Sequence, residues 1–234
     1  DTDRSRGLGD VYKRQDYMKS AKKSSSKDGA AMVTRVGKKI AAATEQYLRN
    51  NGLESEIKNF AWEFNLVNDP QVNAFCMPGG KIVVYEGLMQ LVSSDDELAV
   101  VVGHEVAHAV AKHSNERMSQ QLMAQYGAQI LGQALSNKSA AVQKIGASVY
   151  GLGAQYGVML PFSRKHESEA DYMGLVFMAM AGYNPAVAVN FWQKMSAGKS
   201  GSTPEFMSTH PSDATRINEI KQHLPEIEKY RVKK

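Results

Sequence analysis

The chain has 234 residues, 43% hydrophobic and 22% charged, a globular composition that excludes a purely disordered or collagen-like protein. Lys plus Arg number 28 against 24 for Asp plus Glu, a net charge of +4. Much of that excess lies in the first 40 residues, which reads as a solvated basic leader rather than a nucleic-acid surface. No apolar run reaches the roughly 18 residues of a membrane-spanning helix, and the single cysteine, Cys76, excludes an intramolecular disulfide.

Residues 1–29 are polar and without hydrophobic period. They are predicted to be a disordered or non-native leader, and the opening DTDRSRGLGDVYKRQ resembles translated linker sequence. Residues 30–234 are predicted to form one domain. Apolar residues from Met32 to Leu48 fall at helical spacing, and Asn51-Gly52 ends that helix over 30–50. Residues 60–67 alternate as a strand. Two further strands, 73–77 and 81–85, flank Pro78-Gly79-Gly80 as a hairpin. Beyond Gly87 the chain reads helical: a helix starting at Ser94-Asp95-Asp96-Glu97, then helices around 117–135, 139–157, 165–181, 185–196 and 212–223. Three short strands among many helices predict an α+β fold, mainly helical.

His104-Glu105-Val106-Ala107-His108 is an HExxH sequence inside a predicted helix. Its i, i+4 spacing sets both imidazoles on one face, as two ligands of a tetrahedral zinc require. Glu105 then sits beside the metal without binding it and can take a proton from an attacking water. With 6 His and 14 Glu among 234 residues, such a motif is expected by chance about 0.01 times. Ala111 and Ser114 replace the glycine and third histidine of a metzincin. His113, nine residues from His104, is half a helical turn round and predicted to be on the surface.

A third ligand is predicted downstream, in Ser163-Arg164-Lys165-His166-Glu167-Ser168-Glu169-Ala170-Asp171. Glu167 and Asp171 share a helix face, Glu167 as the carboxylate ligand and Asp171 as a partner fixing a ligand imidazole's tautomer. His166 is a competing ligand, and Glu169 points away toward solvent or a salt bridge. His223 lies outside every motif and is predicted to be exposed. The segment between the two ligand elements is rich in Met, Gln, Ala and Gly and is predicted to cover the cleft or to meet a membrane or partner.

HEVAH, SRKHESEAD and THPSDATRI, in that order, together with VNAFCMPGGKIVVYEGLMQLVSSDDELAVVVGHEVAH, resemble the CAAX prenyl protease and HtpX family of zinc metallopeptidases over residues 60–217. These are gluzincins, and the likeness is strongest to the soluble cell-envelope members of LoiP and BepA type. The resemblance implies a zincin-like fold with one zinc per chain and hydrolysis of misfolded or unassembled cell-envelope proteins. It also implies a bacterial periplasmic location, with peripheral or lipid-anchored membrane association. It further implies that Asn73, with Ala74 and Phe75 on the same strand, binds substrate backbone. His210 would stabilise the oxyanion or block the open coordination position, with Arg216 beside it. A latent zinc-bound chaperone or assembly factor, with His210 as fourth ligand, is the alternative.

Overall fold

The computed structural model describes residues 21–77, 79–113, 164–197, 204–210 and 214–232, and the isolated positions 133, 135, 136 and 144. Apart from those isolated positions, the helices predicted around 117–135 and 139–157, and the cover assigned to that segment, lie outside the described residues. Ser26 starts helix α1 (Lys27–Asn50) three residues before the predicted position, because its Oγ accepts a hydrogen bond from the Gly29 N–H. The stripe Val33, Val36, Ile40, Leu48 is buried, and a single-turn helix α2 (Glu54–Ile57) follows.

Strands β1 (Glu63–Val67), β2 (Ala74–Met77) and β3 (Lys81–Tyr85) form one sheet in the order β1-β3-β2. The β2–β3 hairpin is antiparallel, with Ala74 opposite Val84. Gly79 and Gly80 make its turn at φ of 82° and 81°, where a side chain would be strained. β1 runs parallel to β3 with Glu63 opposite Lys81. Residues 22–24 pair along the outer edge of β1 through Ser24 N to Leu66 O and Asn68 N to Lys22 O, at 3.0 and 2.8 Å. The outer edge of β2 faces the helices.

After the short helix α3 (Glu86–Met89) comes α4 (Asp95–Val110), the helix around which the rest is packed. Ser94 and Glu97 cap it reciprocally: Ser94 Oγ accepts from the Glu97 N–H and the Glu97 carboxylate from the Ser93 N–H. Every residue of α4 from Leu98 to His108 is buried, the apolar ones in the core and His104, Glu105 and His108 among them. Helices α5 (Arg164–Met180), α6 (Val187–Ala197), α7 (Glu205–Thr209) and α8 (Ala214–Ile227) complete the domain, and a 3-10 turn spans Glu228–Tyr230. The architecture is mainly helical with a small three-stranded sheet, as expected. No helix among the described residues is long and apolar enough to cross a membrane.

Candidate active site

The site is built where α4 and α5 cross with their backbones in contact. A Cβ on Gly103 would lie 2.9 Å from Gly174 O, and one on Gly174 only 2.8 Å from His104 N, so glycine on both helices permits the approach. His104 follows Gly103, and Asp171 and Glu167 precede Gly174 by one and two turns. The crossing therefore lays the α5 carboxylates over the α4 imidazoles. A third element arrives at the end of α7, where His210 N–H bonds to Phe206 O at 2.9 Å. The Phe206 N–H in turn bonds to Val72 O just before β2.

His104, His108, Glu167 and His210 converge, each offering one donor atom, with all four atoms within 4.8 Å of one another and all four residues buried. His104 Nε2 is 3.1 Å from His108 Nε2 and 3.2 Å from His210 Nδ1. Glu167 Oε1 is 2.9 Å from His210 Nδ1 and 3.3 Å from His108 Nε2, and Glu167 Oε2 is 3.4 Å from His104 Nε2. Zinc bonds of about 2.0–2.2 Å to nitrogen and oxygen place tetrahedral ligands about 3.3–3.5 Å apart. The two spacings of 3.3 and 3.4 Å lie in that range, and the other three, 2.9–3.2 Å, are slightly shorter. Glu167 Oε2 has Arg216 Nη1 at 2.9 Å but misaligned. It and Glu105 Oε1 are buried oxygens without a hydrogen-bond partner among the described residues. The converging nitrogens and the Glu167 carboxylate fit a divalent cation, with Glu105 Oε1 beside it.

Asp171 and Arg216 stand behind this cluster. Asp171 Oδ1 meets His104 Nδ1 at 2.9 Å, which fixes the tautomer that turns Nε2 inward. Arg216 grips Asp171 with Nε to Oδ2 at 2.5 Å and Nη2 to Oδ1 at 2.8 Å, and donates to His210 O at 3.3 Å. Burial alone would raise the Asp171 carboxyl, but Arg216 outweighs it and holds the group below the usual carboxylate range. Burial likewise disfavours the charged form of His104, yet Glu167 and Asp171 raise it to about 9. His108, also desolvated and beside its charged neighbours, is pushed down to about 2. The Glu105 carboxyl is pushed up by burial, against the pull of His210 and His104.

Glu105 faces the sheet. The Cys76 N–H, on the outer edge of β2, donates to Glu105 Oε2 at 3.3 Å, while Glu105 Oε1 lies 3.4 Å from His210 Nε2. Asn73 turns its side-chain oxygen onto the Ala74 N–H at 2.9 Å, and the Phe75 ring packs edge-on against Tyr85. The predicted substrate strand is thus an edge that borders the cluster, and Cys76 is its point of contact with Glu105.

A model of peptidase family M48 matches residues 34–224. The chain belongs to peptidase family M48. Among its relatives, the mitochondrial metalloendopeptidase OMA1 of Schizosaccharomyces pombe is 36% identical over 205 residues, 84% of this chain and 53% of that protein. Its Arabidopsis thaliana counterpart is 40% identical over 168 residues, 72% of this chain and 33% of that protein. The β-barrel assembly-enhancing protease of Yersinia pestis is 33% identical over 174 residues, 69% of this chain and 36% of that protein. The chain spans about half or less of the length of these relatives. Two expectations are narrowed or corrected here. Membership is of M48 as a whole. The periplasmic location does not stand, because relatives from yeasts, a plant and animals are mitochondrial by name.

In this M48 site the structure brings together all the histidines and carboxylates predicted to act, and corrects the reading of His113. That residue is buried, with Nδ1 2.9 Å from His108 Nδ1. Helical extrapolation failed because α4 ends at Val110 and Lys112 adopts a left-handed φ of 59°, which folds the chain back under His108. His166 stays out of the cluster, its ring stacked on His113 at 4.4 Å. Glu169 is half-exposed, with its carboxylate 3.4 Å from His113 Nε2. His223 is half-buried, edge-on to Tyr172. Sequence reasoning missed Trp192 and Phe206. The Trp192 ring lies against His104 at 5.4 Å and under the Arg216 guanidinium at 4.6 Å, and Phe206 stacks on His210 at 4.6 Å. Nothing in their local sequence separates them from ordinary core aromatics.

Proposed function

We propose that this chain is the catalytic domain of a zinc-dependent endopeptidase, spanning residues 30–234, with His104, His108 and Glu167 as zinc ligands. The observation that carries the reading is the convergence of their donor atoms beside the buried Oε1 of Glu105, which has no hydrogen-bond partner among the described residues. Zinc bound there would polarise a scissile carbonyl and acidify a water. Glu105 accepts the proton of the attacking water at Oε1 and passes it to the leaving amide nitrogen. A buried carboxyl with a raised affinity for protons suits both halves of that task. Asp171, braced by Arg216, keeps His104 in the ligating tautomer.

Substrate enters as an extended segment along the outer edge of β2, where main-chain bonding at residues 73–76 favours unfolded chains over any one sequence. Misfolded or unassembled proteins are the substrate class, a reading to which the assembly-enhancing relative lends support. His210 has two roles. Its Nδ1 occupies the fourth corner of the ligand set, 3.2 Å from His104 Nε2, which favours a latent resting state. Once it swings clear, the same imidazole can donate to the developing oxyanion.

The test combines metal content with casein cleavage. One zinc per chain in both wild type and Glu105→Gln is expected, with cleavage lost by at least a thousandfold in the variant; protein without zinc would overturn the assignment. His210→Ala should keep the metal and separate the two roles. Cleavage that rises assigns His210 as the block, and cleavage that falls without loss of zinc assigns it to the oxyanion.

A further inference from the structure

Both α4 histidines turn Nε2 toward the proposed metal, so both must carry their remaining proton on Nδ1. For His104 that proton goes to Asp171. For His108, among the described residues, the atom facing Nδ1 is His113 Nδ1, at 2.9 Å. Two ring nitrogens at this distance share one proton, and only His108 can supply it in the ligating tautomer. His113 therefore accepts at Nδ1 and carries its own proton on Nε2, which points at Glu169 Oε2, 3.4 Å away. We propose that His113 is the positioning residue for His108, with Glu169 as the outer member of the chain.

Three further observations support a built arrangement. His113 is only 2% exposed, immediately after the Ala111–Lys112 turn that ends α4. The left-handed Lys112 is what folds it inward, a conformation disfavoured for residues with a side chain. His166 then stacks on its outer face at an interplanar angle of 23° and holds the ring's rotation. The segment Glu167-Ser168-Glu169-Ala170-Asp171 thus serves both imidazoles: Glu167 as a ligand, Asp171 behind His104, and Glu169 behind His113 behind His108.

This inference rests on the metal-site reading, and its test separates the two. Zinc affinity of the full chain is measured by competition with a chromophoric chelator, and site symmetry by the visible absorption of the cobalt-loaded protein. His113→Phe keeps an aromatic ring but removes the acceptor. It is expected to weaken zinc binding by about 10–100-fold and to alter the cobalt bands. His113→Asn restores an acceptor near the Nδ1 position and should recover most of the affinity. Glu169→Gln, half-exposed and so harmless to folding, should weaken binding by a few-fold. Wild-type affinity in His113→Phe, or equal losses in the Phe and Asn variants, would overturn the positioning role while leaving the site itself intact. A wild type that binds no zinc would overturn the site as well. Should His113→Phe fail to fold, Glu169→Gln with unchanged affinity and cobalt spectrum would count against the chain.

Discussion

Arg216 makes more of the polar contacts behind the site than any ligand does, and the cost of losing it can be bounded. Its guanidinium touches Asp171 twice, lies 2.9 Å from Glu167 Oε2 and packs over Trp192, all in a buried setting. Removing one member of a buried ion pair leaves the other charged and desolvated, at a cost of about 3–5 kcal/mol. Arg216→Gln is therefore expected to lower the unfolding free energy of the chelator-treated protein by about that much in a urea titration. A loss below about 1 kcal/mol would show a pair no stronger than an exposed one. His104, Glu105 and His108 were legible because one motif on one helix sets their spacing. Glu167 and Asp171 were legible as a second spaced pair on a second helix. His210 and Arg216 came only from the family resemblance, since no periodicity links them to the motif. His113 was misread because a single left-handed residue defeats extrapolation along a helix, and Trp192 and Phe206 carry no local mark of their neighbours.

The meeting of α4 and α5 depends on the absence of two side chains. Gly174→Ala would drive a methyl into the His104 and Gly103 backbone at 2.8–2.9 Å, and no flexible group is there to yield. The helices must separate, at a cost of about 1–3 kcal/mol from overpacking. Glu167 and Asp171 move with α5, so zinc affinity should fall along with stability. Thermal unfolding and chelator competition on the same sample check both. Destabilisation without any change in zinc affinity would mean that the ligand geometry does not depend on the crossing. Long elements were legible to within a few residues, because amphipathic or apolar periods and turn glycines are local signals. Their ends were less so. α8 continues past Pro225 to Ile227, where the fully buried Ile227 offsets the hydrogen bond that proline forfeits. The five-residue α7, which delivers His210, is too short to show any period.

At the scale of the molecule, the proposed metal would join three segments that are distant in sequence, with His104 and His210 separated by 106 positions. A ligand that binds only the folded chain stabilises it by about 4 kcal/mol at a thousandfold excess over its dissociation constant. Removing zinc should therefore lower the melting midpoint, and the gap should depend on pH in a definite direction. In the metal-free chain His104 is raised to about 9, above the roughly 6.5 of an unfolded histidine. Its protonation thus adds stability that is fully present below about pH 6.5 and is lost as pH climbs through about 9. Zinc needs that same nitrogen unprotonated, so apparent affinity rises with pH over the same interval, by up to tenfold per unit, and levels off above it. The two trends are one linkage seen from both sides: the metal-free form weakens while the zinc-loaded form, whose His104 is unprotonated throughout, stays level. Melting curves at pH 6.5, 7.5 and 8.5, with and without chelator, should show the gap widening at each step. A constant gap would show that His104 is already neutral in the empty site and that Glu167 and Asp171 do not hold its second proton.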